Sequence, residues 1–122
     1  MIPTADPLDA LHALPRYAGV NNESYKPGLD RMQALCDALA IPVADLPTLH
    51  IAGTNGKGST AAMSAAIAQA ARYRVGLHTS PHLWSVTERM RIDGTPIPED
   101  TLRAMIAEAQ PAFDRIAPSF FE

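Results

Sequence analysis

The sequence predicts an α/β fold organised around a phosphate-binding loop, and three observations carry that prediction. A β-like run, Thr48-Leu49-His50-Ile51-Ala52, leads directly into Gly53-Thr54-Asn55-Gly56-Lys57-Gly58-Ser59-Thr60. An alanine-rich segment of helical spacing follows, and after it a second strand-like run, Tyr73-Arg74-Val75-Gly76-Leu77-His78-Thr79. A helix joining two strands over this distance implies a right-handed βαβ unit and a parallel strand pair. Ligands of such units bind at the C-terminal ends of the strands.

The loop has the parts that anion binding needs. Glycines let the backbone approach a phosphate, successive N–H groups converge on it, and the helix N-terminus adds partial positive charge. Lys57 supplies a full charge for the outer phosphates, and a following hydroxyl can hold Mg²⁺. The run departs from the general G-x-x-x-x-G-K-[ST] pattern in two places. Ile51 stands where the first glycine belongs, so the loop is shorter, and Gly58 follows the lysine, which postpones the hydroxyl to Ser59. A helix-capping turn that binds nothing would not call for the lysine and the paired hydroxyls.

Size and composition narrow the function classes. The 122 residues suit one domain, with 47% hydrophobic and 19% charged residues, an ordinary globular balance. A net charge of −3 leaves no electrostatic footprint for nucleic acid. No apolar run approaches a membrane span, and residues 1–6 lack the basic and apolar regions of a signal peptide, so a cytoplasmic address is expected. The single cysteine, Cys36, excludes an internal disulfide and a cysteine-built metal site. It falls in an apolar helical pattern and reads as buried filler.

Taken in order, Asp6 to Ala13 is expected to form a short helix ended by Pro15, with His12 a surface or helix-packing residue. Residues 19–28 are rich in turn formers and read either as a connector or as a mobile lid over a site. Leu29 to Ala40 is a helix, because Leu29, Met32, Leu35, Cys36 and Leu39 recur at three- and four-residue intervals. From Thr60 to Arg72, alanines with Met63 and Ile67 predict a helix that lies close to a sheet. Thr79-Ser80-Pro81-His82 falls at the end of the second strand, where it is either a hydroxyl-bearing site loop or a simple proline turn. Val86 to Ile92 alternates as a strand should, Asp93-Gly94 signals a hairpin, and Thr95-Pro96-Ile97 is the return strand. Arg89 and Arg91 either decorate a solvated face or meet an anionic substrate. Pro98-Glu99-Asp100 opens the last helix, with Leu102, Met105, Ile106, Ala109, Phe113 and Ile116 as its apolar stripe, and Pro111 is expected to kink or split it. The chain stops at Pro118-Ser119-Phe120-Phe121-Glu122 without a terminating signal, as if interrupted before its next element.

Three pieces, Gly53 to Thr60, Thr79-Ser80-Pro81-His82-Leu83 and Thr87-Glu88-Arg89-Met90-Arg91-Ile92, stand in an order and spacing that resembles the N-terminal part of the folylpolyglutamate synthase/dihydrofolate synthase family of the Mur ligase superfamily. The resemblance runs from about Gly28 to the end, and Phe120-Phe121-Glu122 is similar to the start of that family's next helix. The glycine after Lys57 is discriminating, because peptidoglycan-precursor ligases of the superfamily usually carry threonine there.

The resemblance implies a P-loop-containing, Rossmann-like three-layer ATP-binding domain, the Mur ligase central domain, of which only the N-terminal portion is here. Residues 1–47 would be a helical and loop lead-in with a substrate lid at 19–28, and 48–122 the P-loop α/β unit. It implies an ATP-dependent amide ligase in which a substrate carboxylate is phosphorylated and the acyl phosphate is attacked by the amine of L-glutamate. Dihydropteroate or a folate already bearing glutamate would be the acceptor. Gly53, Thr54, Asn55, Gly56, Lys57, Gly58, Ser59 and Thr60 would bind ATP, with Lys57 the catalytic cation. Ser80 and Ser59 would hold Mg²⁺, and Leu29, Pro81, His82, Leu83 and Arg89 would meet the acceptor. The family's remaining metal ligands, its adenine pocket and its glutamate-binding domain lie beyond the matched stretch, so these 122 residues alone are expected not to ligate, and the full-length protein is expected to be a monomer. Two other readings stand beside this one: another P-loop NTPase or phosphotransferase, and a non-catalytic nucleotide-binding remnant.

Overall fold

The computed structural model describes residues 6–15 and 28–122. They belong to two compact units, one drawn from residues up to Leu46 together with Arg103–Glu122, the other Pro47–Leu102. The proposed lid at 19–28 lies outside the described residues except for Gly28.

In the first unit, α1 spans Pro7–Ala13, and Asp6 caps it by accepting the Leu8 N–H at 3.0 Å. Proline at the first helical position costs nothing there, since its missing donor would have no helical partner. His12 is exposed, on the surface and not packed against a helix as the alternative had it. α2 spans Asp30–Ala38 and buries Leu35 and Cys36, while Leu29 at its N-cap is 77% exposed. Its end is a Schellman motif: Ala40 takes a left-handed φ of 52°, its N–H bonds Asp37 C=O, and the Ile41 N–H bonds Cys36 C=O. Residues 103–116 of the last helix add buried Ile106, Ala109 and Ala112 to this core. Behind them Pro118 and Ser119 are fully enclosed. The chain end is fastened by a two-pronged ion pair, Arg31 Nη2 to Glu122 Oε2 at 2.8 Å and Nε to Oε1 at 3.0 Å. A second ion pair joins Arg103 to Asp6.

In the second unit, α3 spans Lys57–Ala70 and packs on β1, Gly76–His78. It too ends in a Schellman motif, with Arg72 at φ 66° and the Tyr73 N–H on Ala68 C=O. The sheet is three-stranded and antiparallel in the order β1, β2 (Met90–Ile92), β3 (Thr95–Pro96), with Leu77 opposite Arg91. Asp93 and Gly94 both have positive φ, 49° and 82°, so the hairpin turns as the Asp-Gly signal predicts. Asp93 also clamps the start of β1: its N–H donates to Val75 C=O and its Oδ1 accepts the Val75 N–H at 2.8 Å.

Four expectations are corrected. Thr48–Ala52 is not a strand and forms no parallel pair with β1, because it has no ladder partner among the described residues; Leu49 is 72% exposed. β1 pairs instead with β2, a neighbour much closer in sequence. Val86–Arg89 is a 3₁₀ turn, not the first half of a strand; the local cap described below outweighs the alternating pattern. Pro111 neither splits nor ends α4, which runs unbroken from Glu99 to Ile116. Pro111 faces solvent, so the ladder bond it forfeits is lost on the wet side, and the buried face holds the helix together. Met105, expected in the stripe, is exposed, and Ala112 takes its place inside.

Candidate active site

The glycine-rich stretch forms a tight turn that delivers the chain into α3. Gly56 is the N-cap in the left-handed region, φ 76°, and Gly53 has φ 152°. Both conformations strain a residue with a side chain. The helix begins at Lys57, earlier than its apolar spacing predicts, so Lys57, Gly58 and Ser59 occupy its first turn. The first helical bond runs from the Thr60 N–H to Gly56 C=O at 2.9 Å. The N–H groups of Lys57, Gly58 and Ser59 therefore have no helical acceptor, which is the general condition of a helix start. No carboxylate lies in this first turn. Residues 52–60 are all exposed.

Lys57 curls back over the turn. Its Nζ donates to Gly53 C=O at 2.8 Å and to Thr54 C=O at 3.3 Å. The ammonium thus sits over the mouth of the loop, held by two neutral carbonyls and, among the described residues, by no carboxylate. An incoming phosphate oxygen is the stronger acceptor, so this cation is available to a polyanion at small cost.

The second candidate segment lies in the same unit. It leaves β1 through Thr79 and Ser80, passes the cis Ser80–Pro81 peptide, and returns at Arg89. The Thr79 N–H to Arg89 C=O bond, 3.0 Å, closes its base. Within it, Arg89 Nε donates to His82 Nδ1 at 2.8 Å. His82 thus presents Nδ1 as the acceptor for Arg89, and Nε2 is the other edge of the ring. Arg91 Nε reaches Glu88 C=O at 3.3 Å. Both arginines are half-buried, and neither is a loose surface charge.

Glu88 holds the tip of this segment. Its Oε2 accepts the Leu83 N–H at 3.0 Å, and its Oε1 accepts those of Trp84 and Ser85 at 2.9 and 2.8 Å. Ser85 answers by accepting the Thr87 N–H at 3.3 Å, which completes a capping box on the 3₁₀ turn. The N–H groups of Leu83, Ser85 and Trp84 draw the Glu88 carboxyl down to about 2, with nearby His82 adding to the effect. Glu88 was read from sequence only as part of the Thr87 to Ile92 motif, with no role of its own, and Trp84 was given none. The Ser85-x-x-Glu88 spacing is the signal that identifies them.

Ser59 and Ser80 are exposed hydroxyls in the same unit. Neutral oxygen donors suit Mg²⁺, which keeps several waters and binds largely through phosphate oxygens. Among the described residues, no group of three His, Cys, Asp or Glu side chains forms a metal cage. The donor set therefore fits a metal shared with a nucleotide and does not fit a free-standing one. Leu29, the remaining candidate, lies in the first unit. No helix among the described residues is long and apolar enough to cross a membrane.

No protein-family model matches the chain. It is 47% identical over 85 residues to the dihydrofolate synthase/folylpolyglutamate synthase of Mycobacterium tuberculosis, a stretch covering 70% of this chain and 18% of that protein. The fold superposes on the Mycobacterium tuberculosis folylpolyglutamate synthase complexed with ADP at a TM-score of 0.81 and 38% identity, over 96% of this chain and 27% of that one. A folylpolyglutamate synthase–AMPPCP–folate complex matches at a TM-score of 0.76 and 34% identity, over 90% of this chain and 25% of that one. The chain thus spans about a fifth to a quarter of the length of the relatives it matches. At that likeness the α/β assignment holds for the matched portion, with the antiparallel hairpin as part of it. The glycine after Lys57, the proline-histidine loop and the fold agree: the chain belongs to the folylpolyglutamate synthase/dihydrofolate synthase family of ligases.

Proposed function

We propose that the protein carrying this chain is an ATP-dependent amide ligase that adds L-glutamate to dihydropteroate, to folates already bearing glutamate, or to both, through an acyl phosphate. One observation carries the reading: a left-handed Gly56 opens a 14-residue helix with no carboxylate in its first turn, and the Lys57 ammonium is parked on the loop's own carbonyls. Relatives solved with ADP, and with AMPPCP and folate, support it.

In this reading the amides of Asn55 to Ser59 cradle the ATP phosphates, with Gly53, Thr54 and Thr60 shaping the turn. Lys57 leaves Gly53 and Thr54 for the phosphate oxygens and offsets the charge that builds as the γ-phosphoryl moves to the acceptor carboxylate. Ser80 and Ser59 would hold Mg²⁺, which when bound neutralises adjacent phosphate charge. Pro81, His82, Leu83 and Arg89 meet the acceptor. The glutamate and adenine sites fall to the rest of the protein, so the 122 residues alone bind but do not ligate. A monomer in the cytoplasm completes the proposal.

The test is ATP-dependent incorporation of labelled glutamate by the complete protein, with dihydropteroate and separately with tetrahydrofolate. Incorporation with at least one acceptor, abolished by Lys57→Ala, is expected; incorporation into neither sinks the folate assignment.

A further inference from the structure

We propose that the turn at 117–122 is a clasp that fastens the chain on both sides of residues 16–27, with the Glu122 carboxylate as the shared catch. Freeing Arg31 on one side then loosens the hold on Pro15 on the other. The inference goes beyond the ligase reading and does not depend on it.

Both fastenings come from one short piece of chain. On the near side, the Phe120 N–H donates to Pro15 C=O at 3.0 Å, just past the end of α1. On the far side, Arg31, in the first turn of α2, grips Glu122 through Nε at 3.0 Å and Nη2 at 2.8 Å. Phe120 and Glu122 are two residues apart, so the two holds lie within about 7 Å of each other along the backbone. The piece itself is firmly seated. Pro118 and Ser119 are fully buried, and the left-handed Ala117, φ 52°, turns the chain out of α4 with its N–H on Phe113 C=O.

Glu122 makes the two holds depend on each other. Its Oε2 accepts the Ser119 N–H at 2.8 Å while pairing with Arg31, and its own N–H returns to Ser119 C=O at 3.1 Å. The turn is thereby closed at both ends, with Phe120 inside it. The planar fork of Arg31 fixes the orientation of the carboxylate as well as meeting its charge. Without the fork, Oε2 can swing to water and Ser119 loses its acceptor. The N–H that Phe120 gives to Pro15 then frays with the turn. α1 stays in place meanwhile, because Asp6 at its other end is paired with Arg103 on α4. The release is therefore local, an opening of one turn while the core of the unit stays closed.

Hydrogen exchange resolved by NMR on the 122-residue chain tests this. The Phe120 amide reports the hold on Pro15, and the amide of Ala109, buried on α4, reports opening of the unit as a whole. The ratio of the two is compared in wild type, Arg31→Ala, Arg31→Lys and Glu122→Gln. In Arg31→Ala, Phe120 exchange should rise roughly tenfold relative to Ala109, the loss expected for a charge-assisted hold. Arg31→Lys, which keeps the charge without the fork, should show a smaller rise. Glu122→Gln should also raise the ratio, because one of its two acceptors becomes a donor. A pair that only stabilises the unit would speed both amides equally. That equal response in Arg31→Ala, or an unchanged ratio in Glu122→Gln, overturns the inference. Should Arg31→Ala not fold, Glu122→Gln decides alone, since its amide keeps the shape of the carboxylate.

Discussion

Replacing Gly56 and Gly58 separately by alanine should move stability in opposite directions, although the two positions are neighbours in one loop. At Gly56 the backbone has φ 76°, and a Cβ built there meets nothing within 4 Å. The cost of alanine is therefore purely conformational, about 1–2 kcal/mol for a left-handed L-residue. Gly58 lies in the first turn of α3 with no positive φ, and its Cβ would also meet open space. Alanine there removes unfolded-chain freedom and should stabilise by about 0.4–1 kcal/mol. The two variants should thus differ by roughly 2 kcal/mol, the sum of those two effects. Urea unfolding followed by circular dichroism measures the difference directly. Gly56→Ala should also weaken ADP binding, because relaxing its φ rotates the amides that follow it. A Gly56→Ala variant as stable as Gly58→Ala would mean that the left-handed cap is not what starts α3, and the account of the loop would fail with it.

Three other perturbations follow from the same structure. Arg31→Ala removes a two-pronged ion pair whose side chains are only 16% and 12% exposed and should destabilise the chain by about 2 kcal/mol; a urea midpoint unchanged from wild type would contradict this. Arg72→Gly relieves a left-handed φ of 66° at the end of α3 and should raise stability by about 1 kcal/mol, read as an upward shift in thermal midpoint. The carboxyl of Glu88 is lowered from 4.5 to about 2, chiefly by the Leu83 N–H. That of Glu122 is lowered as well: burial pushes it up, but the Ser119 N–H and hydroxyl and Arg31 outweigh burial. Both groups bind protons less readily folded than unfolded, so their stabilisation is full above the unfolded value and is lost as pH falls through the folded one. Trp84 emission should therefore hold steady down to pH 4.5 and change as pH falls toward about 2. The change should be absent in Glu88→Gln.

How much of this was legible in the sequence depended on whether the signal was local. Gly53 and Gly56 announced a turn because glycine readily takes the positive φ they adopt, and Asp93-Gly94 announced its hairpin for the same reason. Leu35 and Cys36 were readable as a buried face from their period. Thr48–Ala52 was misread because a strand needs a neighbour, and composition says nothing about which neighbour is present. Val86–Ile92 was misread because alternation over a few residues competes with capping chemistry. The carboxylate of Glu88, gathering three amides at 2.8–3.0 Å, settles that competition in favour of a 3₁₀ turn. Pro111 was expected to break a helix whose buried Ile106, Ala109 and Ala112 hold it continuous. The Schellman ends at Ala40 and Arg72 were invisible because neither is the glycine that usually marks such a position.

The central claim is that the Gly53–Thr60 turn, with the Lys57 ammonium folded over it, is a nucleotide-phosphate site. Calorimetric titration of the 122-residue chain with ADP in the presence of Mg²⁺ tests it most directly. Saturable binding at one site, weakened by roughly tenfold or more in Lys57→Ala with the unfolding midpoint little changed, is the predicted result. Equal binding by wild type and Lys57→Ala, or no binding by the folded wild type, would contradict the account.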